Sequence, residues 1–175
     1  MCKTCGEHQQ FAFETLDEAT MVAAARAAHQ EGEAWHFHVL APGCTFSPDK
    51  RVYTFLLELI DQDRAICCFF DSKPVAVNKE LLALLHGADA LSDKGTTAGD
   101  IAGADGQLLD RTGAAAAAGK RWHHHMMFPA CKLNQSAGKW RIFVEIEGED
   151  VIVRDYDEEP SLVLNRIERL YFGLS

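Results

Sequence analysis

The chain has 175 residues, 47% of them apolar, which is enough to bury a core in one domain or in two small fused halves. Its 26 acidic residues outnumber its 17 lysines and arginines, and this balance argues against a broad phosphate-binding surface. We therefore expect no nucleic-acid partner. We expect no membrane association either, because no stretch approaches the roughly 20 apolar residues of a membrane helix.

The first segment, residues 1–14, is a polar leader that contains Cys2 and Cys5. It lacks the apolar centre of a secretory signal, so we expect a cytoplasmic protein with reduced cysteines. Two thiolates at Cys-x-x-Cys spacing can supply half of a tetrahedral metal site or cycle as a dithiol. Cys2 and Cys5 are therefore candidate additional ligands or redox thiols.

The first six residues, Met-Cys-Lys-Thr-Cys-Gly, resemble the short cysteine leader of some nickel-delivery GTPases of hydrogenase maturation. No Gly-x-x-x-x-Gly-Lys-Ser/Thr phosphate loop follows, so the resemblance does not imply GTPase activity. It ends with this leader and does not extend to the rest of the chain.

The second segment, residues 15–91, is predicted to contain an N-terminal helix and a β-β-β-α unit. Thr15 and Glu18 form a capping box that predicts a helix over 15–31. Pro74 and Gly87 suit the first turn and the end of the unit's own helix. Hydrophobic patterning and turn residues predict three strands and this helix at 34–41, 51–60, 65–70 and 74–86.

The third segment, residues 92–120, is rich in Gly, Ala and Asp. We expect a connector and partly mobile loop here, with at most a short helix around Leu108 and in the alanine run. The fourth segment, residues 121–175, repeats the pattern of the first β-β-β-α unit.

A shared motif relates the two units. Trp-His-x-His-x-x-x-Pro-x-Cys occurs at 35–44 and again at 122–131, 87 positions later. The correspondence continues through the second strand, shifts to 86 positions at an expected turn, and then aligns Pro74 with Pro160 and Gly87 with Gly173. The sequence thus predicts an α+β fold: an internal duplication of two β-β-β-α units that form antiparallel sheets with helices on one face.

The register of the strands predicts where the motif's histidines point. Side chains alternate along a strand, so His36 and His38 share one face and the neighbouring apolar side chains share the other. Pairing Val39 with Phe55 unites the apolar rows and places His36 opposite Glu58. The second unit gives the same result, with His123 and His125 on one face and His123 opposite Glu145.

Each face carries a set of side chains suited to a transition metal. Two histidines and a carboxylate within reach can bind Zn, Ni, Fe or Cu through imidazole nitrogens and an oxygen. One predicted set is His36, His38 and Glu58, and the other is His123, His125 and Glu145. Cys44 and Cys131 follow the motif's proline by two residues and are candidate additional ligands or nucleophiles. The two sets could be separate or could converge.

Two functions fit these residues. In the first, the protein binds a transition metal, either for catalysis at an open coordination position or for metal storage or delivery. In the second, it is a non-catalytic interaction module, and its His/Glu face is a subunit interface of a homo-oligomer or contacts another partner. The sequence identifies neither a substrate nor a reaction.

Overall fold

The computed structural model describes residues 12–95, 101–136 and 138–174. Within these ranges the chain forms four helices and two mainly antiparallel sheets, which confirms the α+β class. None of the helices in the described ranges is long and apolar enough to cross a membrane. In chain order the elements are β1 (Glu14–Thr15), α1 (Glu18–Glu31), β2 (Trp35–Leu40), β3 (Tyr53–Leu59), β4 (Arg64–Phe70), α2 (Val75–His86), α3 (Gly103–Ala117), β5 (Trp122–Met127), β6 (Trp140–Ile146), β7 (Ile152–Tyr156) and α4 (Ser161–Tyr171).

The strand registers agree with those expected from the sequence. In the first sheet, ordered β1-β4-β3-β2, Val39 pairs with Phe55 and His36 with Glu58. In the second sheet, ordered β5-β6-β7, His123 pairs with Glu145. The predicted registers are therefore confirmed. They are strongly specified, because a shift of one residue would move each strand's apolar row to the opposite face.

The helices cover the outer face of each sheet. α1 and α2 pack on the first sheet, around a core that includes Phe55, Leu57 and Leu81. α3 and α4 pack on the second sheet, around a core that includes Ile142 and Ile167. The other faces of the two sheets meet in a third apolar cluster, formed by Leu40, Cys44, Leu56, Ala65, Cys67, Met127, Cys131 and Leu133. The two sheets therefore lie face to face between outer helices.

The first helix begins later than the capping box predicted. Thr15 belongs to β1, which pairs in parallel with β4. Asp17 is the N-cap of α1 and accepts a hydrogen bond of 2.9 Å from the backbone N–H of Thr20. An aspartate in this position satisfies a free backbone donor as well as a threonine would, so the helix starts at Glu18.

The expected connector contains a helix that belongs to the second core. α3 is 15 residues long, and its buried residues Leu108, Thr112 and Ala115 recur on one face. The chain leaves α1 through Gly32 and passes Gly119 just after α3; both glycines adopt a left-handed conformation, with φ of 72° and 67°. These glycines are 87 positions apart, the same spacing as the histidine motif. α3 precedes the three strands of the second sheet, as α1 precedes β2, β3 and β4 of the first.

Candidate metal centres

The paired histidines point into the space between the two sheets. His36 and His38 lie on β2 and are only 5% and 3% exposed. Glu58, on the neighbouring strand β3, is 2% exposed and points to the same side. Alternation along the strand explains this arrangement, because the intervening Phe37 packs with the helix-side core instead.

A tight turn after β2 positions Cys44. The backbone N–H of Cys44 donates to the carbonyl of Ala41 at 2.9 Å, which closes a four-residue turn. Pro42 occupies the second position of this turn, where its fixed φ is favourable, and Gly43 adopts a φ of 83° in the third. The Pro-x-Cys spacing of the motif therefore reflects a turn that directs the thiol inward.

The same turn recurs after β5 and positions Cys131. Here the backbone N–H of Cys131 donates to the carbonyl of Phe128 at 2.9 Å, with Pro129 in the second position. Each turn reaches across to the opposite sheet. Cys131 thus joins the histidines of the first unit, and Cys44 joins those of the second.

The first cluster consists of His36, His38, Glu58 and Cys131. Oε2 of Glu58 lies 2.5 Å from Nε2 of His36 and 3.3 Å from Nε2 of His38. The Cys131 Sγ lies 3.3 Å from the same His38 nitrogen and 3.1 Å from the same carboxylate oxygen. One atom from each residue therefore faces the others, and all four atoms lie within 4.8 Å of one another.

The second cluster consists of Cys44, His123, His125 and Glu145. Nε2 of His123 lies 2.6 Å from Oε2 of Glu145, and Nε2 of His125 lies 3.8 Å from that oxygen. The Cys44 Sγ lies 3.3 Å from Nε2 of His125. The two clusters are separate but adjacent, since the rings of His38 and His125 have centroids 6.0 Å apart.

Contacts from the opposite unit hold each glutamate in place. The backbone N–H of Lys132, next to Cys131, donates to Oε1 of Glu58 at 3.0 Å. At the equivalent place, the hydroxyl of Thr45 donates to Oε1 of Glu145 at 2.6 Å. In each case the second oxygen, Oε2, is left facing the histidines. The residue after each cysteine is thus a supporting contact that the sequence did not reveal.

Burial controls the protonation of the thiols and of two imidazoles, since it lowers the pKa of His38 as well as that of His125. It raises the pKa of the Cys44 thiol to about 12, and the adjacent Glu145 carboxylate adds to the shift. Burial and the neighbouring carboxylate likewise raise the pKa of Cys131. Burial lowers the pKa of His125 to about 3. At neutral pH and without an ion, these thiols are protonated and both imidazoles are neutral.

The two glutamates respond in the opposite way. Burial alone would raise the pKa of Glu58, but its contacts with His36 and His38 outweigh burial and hold the pKa well below its usual range. The pKa of Glu145 is lowered for the same reason, against burial, by contacts with both histidines of its cluster. Each cluster therefore holds an ionised carboxylate beside its imidazole nitrogens.

The remaining residues of interest are two candidate thiols and one further histidine of the second unit. Cys2 and Cys5 fall outside the described residues. His124 lies between two cluster histidines in sequence but points the other way, and its Nε2 is 2.8 Å from Glu168. The histidines of both sets and Glu58 are buried within the chain, so the two sheets cover most of the His/Glu face that the interaction-module alternative assigned to a partner.

No protein-family model, curated protein or solved structure matches this chain. Its candidate function therefore rests on the chemistry of the two clusters, each of which could hold a metal ion.

Proposed function

We propose that the protein binds two transition-metal ions, one in each cluster, through two imidazoles, one carboxylate and one thiolate. The observation that carries this proposal is the convergence of four different donor atoms in each cluster. A set of two nitrogens, one oxygen and one sulfur is a complete tetrahedral shell, and it suits Zn²⁺ better than the square-planar preferences of Cu²⁺ or Ni²⁺.

Hydrogen bonding alone accounts poorly for the first cluster. His36 Nε2 lies 2.5 Å from the Glu58 oxygen. Even so, this buried nitrogen has no partner in hydrogen-bond geometry among the described residues, and neither does Nε2 of His123 in the second cluster. Buried polar atoms in folded proteins are nearly always satisfied. An ion at the centre of each cluster would satisfy these two nitrogens, because it would accept the lone pair of each of them.

The crossed cysteines suggest what the ions do. Each proposed ion takes three ligands from one unit and its thiolate from the other, so it would link the two sheets. A closed shell of four protein ligands is typical of structural or storage sites, whereas a catalytic ion keeps an open position. We therefore assign the first cluster, which is buried throughout, to a structural or storage role.

Elemental analysis of untagged protein tests the proposal. We expect about two ions per chain in the wild type, about one in His38→Ala or His125→Ala, and none when both changes are combined. His124→Ala is the matched control, since His124 lies on β5 beside His125 but outside both clusters. This variant should retain both ions. Circular dichroism of each variant checks that the loss of metal is not a loss of fold.

Two results would contradict the proposal. One is a folded wild-type protein that neither contains metal when purified nor takes up Zn²⁺ or Co²⁺ after reduction. The other is full metal content in the folded double variant, since the ions would then have to bind elsewhere, for example at Cys2 and Cys5.

A further inference from the structure

A cleft of about 510 Å³ opens beside the second cluster. Two of the cluster's residues, His123 and Glu145, form part of its wall. Three aromatic side chains also line the cleft, namely Tyr53, Trp122 and Tyr171. This volume is in the range of clefts that hold small organic ligands, and the wall carries several charged side chains as well as apolar surface.

Cationic side chains also line the cleft, and one of them differs from the others. Arg121 is paired with Glu147 at 2.8 Å, and Lys120 with Glu149 at 2.7 Å. Lys73 has no carboxylate within ion-pair distance among the described residues. Its ammonium instead donates to the backbone carbonyl of Tyr171 at 2.8 Å and lies 3.4 Å from the centre of that ring.

Lys73 has no close negative partner among the described residues, because Glu168 acts on it only from beyond ion-pair distance and is paired with His124. A partly buried ammonium is costly unless a counter-charge compensates it. The contact with the Tyr171 carbonyl uses one of its three N–H donors. The Tyr171 hydroxyl is buried as well and has no hydrogen-bond partner among the described residues. A buried hydroxyl without a partner calls for an explanation, and a ligand in the adjoining cleft would supply one.

The first unit provides an internal comparison. A smaller cleft of about 230 Å³ borders His36 of the first cluster, and its lining includes Trp35 and Glu159. Glu159 corresponds to Lys73 at the offset of 86 positions, so the charge at this position is reversed. The first cleft is otherwise lined mostly by apolar side chains. The two clefts have therefore diverged in size, and the equivalent residues Lys73 and Glu159 have diverged in charge.

We propose that the larger cleft binds a small aromatic anion, whose acidic group pairs with Lys73 and whose ring lies against the aromatic wall beside the second cluster. Trp122 and Tyr53 supply the apolar surface for the ring. The position of His123 and Glu145 in the same wall brings this anion next to the second proposed ion. This placement rests on the proposed metal function, whereas recognition of the anion by Lys73 does not.

Calorimetric titration with benzoate and its neutral analogue benzamide tests the inference, using protein that is metal-free and protein loaded with Zn²⁺. We expect benzoate to bind at least tenfold more tightly than benzamide. Lys73→Met should weaken benzoate binding at least tenfold, whereas Lys73→Arg, which keeps the charge, should largely retain it. Lys79→Met, on the exposed surface of α2, is the matched control and should bind benzoate as the wild type does.

The outcomes separate this inference from the metal proposal. Benzoate binding that is undetectable in both forms, equal to that of benzamide, or unchanged in Lys73→Met would overturn the anion site even if both ions bind. Conversely, if the protein takes up no metal but still binds benzoate through Lys73, the anion site stands and the metal proposal fails. Phenyl phosphate, titrated in parallel, shows whether the cleft prefers a carboxylate or a phosphate.

Discussion

The Sγ of Cys131 lies 3.3 Å from Nε2 of His38, although 93 positions separate the two residues. The equivalent pair, Cys44 and His125, is also 3.3 Å apart. Each cluster is consequently incomplete without the other unit. This crossing makes the proposed ions part of the contact between the sheets, so their effects should extend to metal affinity and to the stability of the whole chain.

The crossing predicts which variants act on the same ion. Cys131→Ser should weaken the site that His38→Ala removes, so combining the two changes should cost no further ion. Combining Cys131→Ser with His125→Ala should impair both sites, because these residues belong to different clusters. Metal content and the thiolate-to-Co²⁺ absorption of the cobalt-loaded variants measure this. Cys67→Ser, a change at a buried cysteine outside both clusters, is the control.

A different pairing would reveal itself in the same series. If Cys131→Ser and His125→Ala together lost no more than His125→Ala alone, Cys131 would serve the ion of its own unit. The crossed arrangement would then be wrong even though metal binding itself was established.

Metal binding should release protons. The pKa of the Cys44 thiol is raised to about 12 by burial, so at pH 7 the ion must displace the thiol proton. Each ion should therefore release about one proton from its cysteine, and the apparent affinity should fall about tenfold for each pH unit below neutrality. Calorimetry in buffers of different ionisation enthalpy measures the protons released. The Cys44→Ser variant should release about one proton fewer per chain, and release that is unchanged in it would contradict the assignment.

Removal of the ions should lower the stability of the fold. An ion that binds only the folded chain adds about 2.7 kcal/mol for each site when its free concentration is 100 times its Kd. For a chain of this size, two such sites correspond to a shift in Tm on the order of 10–20 °C. Thermal unfolding with and without a chelator checks this. His124→Ala should show the same shift, and a chelator that leaves the wild-type Tm unchanged would argue against ions that link the sheets.

The sequence was informative where a strict alternation of residues fixed the geometry. Alternation placed His36 and His38 on one face, and matching of the apolar rows placed Glu58 opposite them. It could not show that Cys131 crosses to the other unit, because the inward turn lies outside the strands and the packing of one sheet on another leaves no local pattern. The crossing became visible only when the two inner faces were brought together.

The sequence predicts at most a short helix around Leu108 and in the alanine run, whereas the structure has a helix of 15 residues there. Glycine in residues 103–117 weakens the local preference for a helix, and alanine, although a good helix former, does not mark an apolar face clearly. Tertiary packing of Leu108 and Ala115 against the second sheet outweighs the effect of the glycines. The recurrence of Gly32 at Gly119 was the available signal, because a left-handed residue commonly follows the end of a helix.

This packing predicts that α3 supports the second unit and is no mere connector. Leu108 is fully buried among residues of the second core. Leu108→Ala should therefore lower the free energy of unfolding by about 2–5 kcal/mol. Gln107→Ala, an exposed position on the same helix, should change it by less than about 0.5 kcal/mol. Chemical denaturation of both variants measures the difference, and equal small effects would mean that α3 contributes little to the core.

The two proposed ions should also differ in how fast they leave. The Glu145 side chain is 16% exposed and borders the larger cleft, whereas that of Glu58 is 3% exposed. A chelator should therefore remove metal in two phases, with the second cluster at least tenfold faster. His38→Ala, which retains only the second cluster, should show the fast phase alone, and His125→Ala should show the slow phase alone. Stopped-flow release to a coloured chelator measures both rates, and a single rate shared by the two variants would show that the cleft gives the second ion no special access.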